Sequence, residues 1–205
     1  MNNRSVKGNM ISGNPAKELI IFAIPMILGN LFQQFYNIAD SVIVGKFLGP
    51  DALAAVGASN SITTLFVMVA IGTGIGCSVI ISQLFGAGRM KEVKSSISTA
   101  LIAIFAFSLI LSTIGFMLSG NILKWMHTPS DVYEEADKYL KIYFLGFAFL
   151  FMYNAFNAVF NALGDSAKPL VFLIFSSVLN IGLDILFVWK FGWGVAGAAW
   201  ATLIA

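Results

Sequence analysis

Long stretches without a charged residue divide this chain, and they constrain its fold more than any other feature. The uncharged stretches are residues 19–39, 52–88, 95–123, 142–164, 169–183 and 191–205. A bilayer core about 30 Å thick is crossed by about 20 apolar helical residues. Five of the stretches are long enough to span the membrane, the fifth when it is extended past Asp184. The pattern therefore predicts an all-α fold, a polytopic transmembrane helical bundle.

The boundaries of the bundle follow from where the charged residues fall. We predict a cytoplasmic N-terminal tail over residues 1–14 and a six-helix membrane unit over residues 15–205. The predicted helices are roughly 16–45, 52–85, 95–120, 132–163, 168–190 and 193–205. The sixth stops in mid-helix without a cap or a polar end, so we expect it to be truncated and the chain to continue in the full-length gene product. The basic residues of "GRMKEVK" favour a cytoplasmic N-terminus in the cell membrane.

The composition excludes several classes of protein. The chain is 58% hydrophobic and 11% charged, whereas soluble domains have about 25% charged residues. A net charge of +2 does not suggest nucleic acid as a partner. One cysteine and one histidine are too few for a disulfide framework or a Cys/His metal cluster. No nucleophile–base pair is recognisable, so we expect neither an enzyme nor a bound cofactor.

An internal repeat draws attention to two acidic residues inside the membrane stretches. The sequence reads "DSVIVGKFLGPDALAAVGAS" from Asp40 and "DILFVWKFGWGVAGAAWAT" from Asp184, and both copies fit D-x-x-x-V-x-K-F. In each copy the acid lies six residues before a lysine, which is ~9 Å of helical rise. Both copies end odd-numbered helices, so they share one orientation across the membrane. We therefore expect both carboxyl groups at a similar depth, nearer the outer side.

Polar residues extend from both acids at helical spacing. Gln33, Tyr36, Asn37 and Asp40 form one stripe, Asn154, Asn157 and Asn161 a second, and Ser176 or Ser177, Asn180 and Asp184 a third, with Thr202 following in the sixth helix. Polar stripes are costly against lipid, so we expect the three to converge on an interior cavity. Asparagine and serine stripes can also act only as hydrogen-bond glue between helices. A buried acid can likewise be purely structural.

The chemistry of such a site is cation binding. A low-dielectric surrounding disfavours the charged form of a carboxylic acid, and a second acid nearby disfavours it further. The pair could load a proton from one side of the membrane and release it to the other, with Tyr36, Asn180 and Thr202 sensing the protonation state. The oxygen atoms of Asp40, Asp184 and Asn180 could instead hold sodium, a hard cation. Of the two ions, we favour the proton.

Four segments resemble the multidrug and toxic compound extrusion (MATE) family of antiporters. They are "IPMILGNLFQQFYNIADSVIVGKFLGPDALAAVG", "GTGIGCSVIISQLFGAGRMKEV", "NALGDSAKP" and "LNIGLDILFVWKFGWGVAGAAWATLI". The resemblance covers nearly the whole chain from about residue 15. It implies one lobe of a twelve-helix transporter that exports organic, often cationic, compounds in exchange for protons or sodium. The partner would be the missing C-terminal lobe or a second copy of the chain.

The resemblance also implies site residues. The positions that match the family's coupling site in the N-terminal lobe are Tyr36, Asp40, Asn157, Asn180, Asp184 and Thr202, and Gln34 matches a polar position beside it. We assign Gln34 and the remaining stripe residues to the substrate cavity: Gln33, Gln34, Asn37, Asn154, Asn161 and Ser177. Two other functions compete, a flippase of lipid-linked oligosaccharide precursors and a truncated fragment without transport. Flippases of that kind tend to carry basic residues in the cavity, and here no lysine or arginine lies in mid-span.

Overall fold

The computed structural model describes residues 15–205, and six α-helices make up this part of the protein. The predicted tail over residues 1–14 lies outside the described residues. The helices are α1 (Pro15–Leu48), α2 (Pro50–Gly86), α3 (Met90–Trp125), α4 (Ser130–Ala162), α5 (Ala167–Asp184) and α6 (Gly194–Ile204), with a π-helical turn, Ile185–Lys190, directly after α5. No strand occurs within residues 15–205. The prediction of an all-α fold is confirmed.

Five of the helices in the described part of the chain are long and apolar enough to cross a membrane, while α6 is shorter. The helix predicted over residues 168–190 ends in a π-helical turn, which the sequence did not indicate. The helix predicted to start at 52 begins at Pro50, directly after Gly49, whose φ is 90°. Proline suits the first turn of a helix because its missing N–H has no helical partner there.

Short turns join the helices, and a glycine with positive φ follows the ends of α2 and α4. Gly88 and Gly164 have φ values of 72° and 79°, the left-handed conformation that commonly terminates helices. After α4, Gly164 N–H donates to the carbonyl of Asn161 and Asp165 N–H to that of Phe160, which is the Schellman pattern. Because the turns are short, successive helices run antiparallel. One end of the bundle contains the start of α1 and the α2–α3 and α4–α5 turns, and we call it the proximal end. The opposite end is the distal end.

Two parts of the bundle differ in packing. In the first, the tight half, α2 and α3 pack closely on one face of α4. Its core is built around Phe144, Phe147 and Phe151 of α4, which are fully buried, with the Phe66 ring of α2 against them. A Cβ atom at Gly115 of α3 would overlap the Phe144 ring, so the absence of a side chain there brings α3 against α4.

The second part, the open half, consists of α1, α5 and α6 with the opposite face of α4. Here α1 packs mainly on α5 and is otherwise largely exposed, and α6 bridges α4 and α5. The consecutive helices α4 and α5 scarcely touch each other, which leaves a cavity between them. The candidate site lies in this half.

Candidate functional site

The two acids of the sequence repeat meet in the open half. Asp40 lies on α1, and Asp184 is the last α-helical residue of α5 before the π-helical turn. Their carboxyl groups lie within interaction distance of each other. Asp184 is completely buried. Asp40 Oδ1 and both carboxyl oxygens of Asp184 have no hydrogen-bond partner among residues 15–205. We call this arrangement the acid pair.

The acid pair forms because the two copies of the repeat pack on each other. Val44 and Val188 occupy the same position in the two copies, and both are buried in one cluster. Phe47 and Trp189 extend this contact, with ring centroids 6.0 Å apart. The equal spacing from acid to valine in each copy therefore brings the two acids together at one level of the bundle.

Neutral polar groups surround the acid pair. Asn180, which is 3% exposed, donates from Nδ2 to Thr202 Oγ1 at 3.5 Å, a long hydrogen bond. Its Oδ1 atom and the Ser177 hydroxyl have no hydrogen-bond partner among the described residues. Tyr36 interacts electrostatically with both acids. Buried polar atoms without partners are rare in native proteins and call for an explanation, and here several of them are grouped around two carboxyl groups.

A cavity of about 880 Å³ lies beside the acid pair, between α1, α4, α5 and α6. Six of the predicted site residues line it: Gln33, Tyr36, Asn157, Ser177, Asn180 and Thr202. Most of the remaining wall is aromatic or aliphatic, and no acidic or basic side chain lines the cavity within the described part of the chain. The cavity wall thus offers rings and a few neutral hydrogen-bonding groups, and the acid pair lies beside it.

Gln34 and Asn37 do not lie where the sequence placed them. They line a separate shallow groove on α1 with Lys46 and Leu53, and Asn37 Nδ2 donates to Gln34 Oε1 at 3.2 Å. Successive residues of an α-helix point about 100° apart. With Tyr36 turned towards the cavity, its neighbour Asn37 therefore points away from it. Their assignment to the substrate cavity is corrected.

The other two asparagines of α4 are also outside the cavity wall. Asn154 donates from Nδ2 to the carbonyl of Leu150 at 2.9 Å, and its backbone faces Gly74 of α2. Asn161 donates from Nδ2 to Asn157 Oδ1 at 2.9 Å. Asn154 thus belongs to the α2–α4 contact, and Asn161 orients Asn157, which does line the cavity. The three asparagines do not all face the cavity, because residues three and four positions apart on an α-helix lie on only approximately the same face.

Sequence reasoning missed the tyrosines of α4. Tyr139 is buried and interacts electrostatically with both acids, and its ring stacks on Tyr143 at 6.2 Å. Tyr143 and Tyr153 line the cavity. A signal was present, since stepping back from Asn157 by four and three residues reaches Tyr153, Leu150, Gly146 and Tyr143, all of which line the cavity. These rings continue the asparagine face of α4 towards its start, where the polar amides end.

The fold and the site define a class of protein: a polytopic membrane bundle with a carboxyl pair buried beside a cavity. Comparison with known proteins gives the family. The family model MatE matches residues 25–186. The chain therefore belongs to the MatE family, as the sequence motifs indicated.

Several curated relatives and solved structures resemble the chain. It is 36% identical over 193 residues to the probable multidrug resistance protein YpnP of Bacillus subtilis, covering 94% of this chain and 43% of that protein. The probable multidrug resistance protein NorM of Thermotoga maritima is 30% identical, with 92% and 41% covered. An outward-facing multidrug resistance MATE family transporter of the MOP superfamily superposes with a TM-score of 0.91 at 27% identity, covering 100% of this chain and 45% of that one. The chain thus spans about half the length of the relatives it matches.

Proposed function

We propose that the chain is the coupling half of an antiporter that exports organic, cationic compounds in exchange for protons or sodium. Membership of a family of secondary transporters supports the class of activity. The observation that carries the proposal is the acid pair: two carboxyl groups side by side, with three oxygen atoms that lack a hydrogen-bond partner in the described residues.

The acid pair suits cation exchange for an electrostatic reason. Two ionised carboxylates in contact repel each other, and burial removes the water that would stabilise them. The site therefore favours a state in which a proton or a metal cation neutralises at least one negative charge. A cationic compound in the adjoining cavity competes for the same negative charge. That competition is the basis of exchange, because the site then holds either the coupling ion or the substrate.

The wall of the cavity supports a cationic, apolar substrate. Its rings include Tyr36, Tyr143, Phe149 and Tyr153, and aromatic faces attract cations as well as apolar surfaces. A flippase for a pyrophosphate-linked precursor would place basic groups against its cargo, and no basic side chain lines the cavity in residues 15–205. The substrate of the proposed exporter is therefore a cationic or neutral compound with an extended apolar part.

We favour the proton as the coupling ion and place the N-terminus in the cytoplasm. A proton needs only one carboxyl oxygen and leaves the second acid to accept a hydrogen bond from the first. A sodium ion would draw its protein ligands from Asp40, Asp184 and Asn180, three side chains. The basic residues of the α2–α3 turn support a cytoplasmic proximal end by the positive-inside rule. Alternating access further requires a second lobe, a C-terminal one or another copy of this chain.

The test is coupled efflux by the complete gene product in proteoliposomes loaded with a fluorescent cationic dye. We expect an imposed proton gradient to drive efflux in the wild type and not in Asp40→Asn or Asp184→Asn, because an amide cannot bind and release a proton. The matched control is Asn60→Ala, an amide of α2 that contacts neither the acid pair nor the cavity. Efflux driven only by a sodium gradient would assign the other ion. Unchanged coupled efflux in both Asp variants, at equal insertion, would refute the coupling site.

A further inference from the structure

A second concave surface of the protein lies along α1, on the side turned away from the cavity. It is the shallow groove that contains Gln34, Asn37, Lys46 and Leu53, and its volume is about 730 Å³. The groove forms where α1 meets the start of α2, because a Cβ atom at Gly45 would lie only 3.4 Å from Leu53 Cδ2 and the two helices therefore approach closely. The residues of the groove are separate from the acid pair and from the cavity wall.

The length of the groove matches one leaflet of a bilayer. Lys46 follows Gln34 by twelve residues, which is ~18 Å of helical rise, and half of a hydrocarbon core about 30 Å thick is ~15 Å. The end of the groove at Lys46 lies at the level of Phe47 and Trp189, whose ring centroids are 6.0 Å apart. Tryptophan is enriched at the interface between membrane and water. The groove therefore runs from the middle of the bilayer to the headgroups of the distal leaflet, the leaflet at the distal end of the bundle.

Apolar side chains line the groove beside a few neutral polar groups. Ile38 and Val42 lie one helical turn apart on its wall and are 60% and 57% exposed. The polar groups bond to one another, since Asn37 Nδ2 donates to Gln34 Oε1 at 3.2 Å and Ser41 Oγ donates to the carbonyl of Asn37 at 2.9 Å. Polar groups that already have a hydrogen bond are less unfavourable beside hydrocarbon. An acyl chain can therefore lie along this surface.

The groove carries a positive charge at its distal end. Among residues 15–205, the one charged side chain on its wall is that of Lys46. Lys46 forms no salt bridge with another residue of this range, and its Nζ atom lies 6.0 Å from the centroid of the Phe47 ring. A lysine at the headgroup level attracts anionic lipids. The same charge repels cationic compounds, so the groove does not suit the substrate proposed for the cavity.

We propose that the groove binds one acyl chain of an anionic phospholipid of the distal leaflet, with the lipid phosphate at Lys46 Nζ. The acyl chain lies over Ile38 and Val42, and the phosphate accepts a hydrogen bond from the ammonium group. The groove thus matches both parts of such a lipid, with an apolar surface one leaflet long and an uncompensated positive charge at the headgroup level. The site depends neither on the ion bound by the acid pair nor on the compound in the cavity.

The test measures lipid binding to the complete gene product by native mass spectrometry from detergent micelles. The probes are phosphatidylglycerol, phosphatidylcholine with the same acyl chains, and glycerol 3-phosphate, which has no acyl chain. We expect Lys46→Gln to weaken binding of phosphatidylglycerol about fivefold, because one attraction between lysine and an anionic headgroup is lost, and to change binding of phosphatidylcholine much less. Val42→Trp places a large side chain in the groove and should weaken binding of both lipids.

The matched control is Lys190→Gln. Lys190 occupies the same position in the second copy of the repeat as Lys46 in the first, but it does not line the groove, so we expect its loss to leave binding of phosphatidylglycerol as in the wild type. An equal loss in Lys46→Gln and Lys190→Gln would overturn the proposal, because the lipid would then respond to surface charge in general.

Two other results would also refute the lipid site. Unchanged binding in Val42→Trp would show that no lipid occupies the groove, as expected if a second lobe covers it. Glycerol 3-phosphate that binds as tightly as phosphatidylglycerol would show that the groove takes a soluble anion and that the acyl chain contributes nothing. Because no gradient or transported compound is used, the outcome is independent of the coupled-efflux test.

Discussion

The tight half and the open half treat buried polar groups in opposite ways. In the tight half, every buried serine or threonine has a hydrogen bond: Ser59 donates to the carbonyls of Ala55 and Ala136, Ser108 to that of Phe105, and Ser119 to Asp137 at 2.7 Å. Thr63 likewise donates to the carbonyl of Asn60. The buried side-chain atoms that lack partners in residues 15–205 all belong to α1, α5 or the end of α4.

The contrast separates stability from function within one bundle. An unsatisfied buried polar group costs free energy, so a region selected only for stability would not collect several of them. The tight half satisfies its polar groups and packs aromatic rings in edge-to-face contacts, such as Phe147 with Phe151 at 5.6 Å. The open half leaves carboxyl and amide oxygens available beside a cavity. It is therefore the part in which binding of a cation can offset the unfavourable free energy of burying these polar groups.

The largest expected effect on stability is in the tight half, at Gly115. In Gly115→Ala the new methyl group would overlap the ring of Phe144, which is fully buried. Overpacking of this kind costs about 1–3 kcal/mol, occasionally more, so we expect a clear fall in the midpoint of thermal unfolding in detergent micelles. Gly72→Ala in α2, where a Cβ has no neighbour within 4 Å, is the control and should leave stability equal or slightly higher. Equal midpoints for both variants would contradict the close packing of α3 against Phe144.

A smaller effect is expected where α6 meets the π-helical turn. A Cβ atom at Gly197 would lie 3.1 Å from the carbonyl carbon of Phe187, so Gly197→Ala must push α6 away from the backbone beside the acid pair. We expect stability to fall by about 1 kcal/mol and, under the proposed function, coupled efflux to fall more than stability does. Gly182→Ala in α5, where a Cβ has open space, is the control. An effect confined to stability would show that the π-helical turn has no part in coupling.

The smallest effect is expected in the α3–α4 turn. His127 has a φ of 55° and is the only residue other than glycine with a positive φ in the described part of the chain. It occupies the position after α3 where glycine is common, with His127 N–H bonded to the carbonyl of Lys124 and Thr128 N–H to that of Leu123. His127→Gly should raise the free energy of unfolding by about 0.5–1 kcal/mol, measured as a higher unfolding midpoint. Thr128→Gly, the control, should lower it.

Much of the open half was predictable from the sequence because the positions of its polar residues depend on their spacing along the helices. The equal intervals between acid, valine and lysine in the two repeats predicted that Asp40 and Asp184 lie at one depth, and the structure places them side by side. The stripe on α5 was predictable for the same reason, since Ser177 and Asn180 share a helical face and both line the cavity. Their roles in ion coupling stay predictions.

Other features of the site were not predictable. The side of α1 on which Gln34 and Asn37 lie depends on how α1 rotates against α5, and polar residues on both sides of the helix left that rotation undetermined. The π-helical turn after Asp184 depends on the approach of α6, since Gly197 rests against the Phe187 backbone. The hydrogen bond from Ser166 to Phe22 joins segments far apart in the sequence, and no local pattern signals such a pair.

The sequence by itself determined that this chain is a membrane helical bundle and that two acids lie at matching depth within it. Both follow from the one-dimensional order of charged and apolar residues, because a bilayer sorts a chain by local hydrophobicity alone. The tertiary structure decided which half is tight, which faces of α1 and α4 meet the cavity, and that the two carboxyl groups lie within interaction distance of each other. These depend on the rotation and approach of helices, which are set by the shapes of side chains that meet only when the bundle has formed.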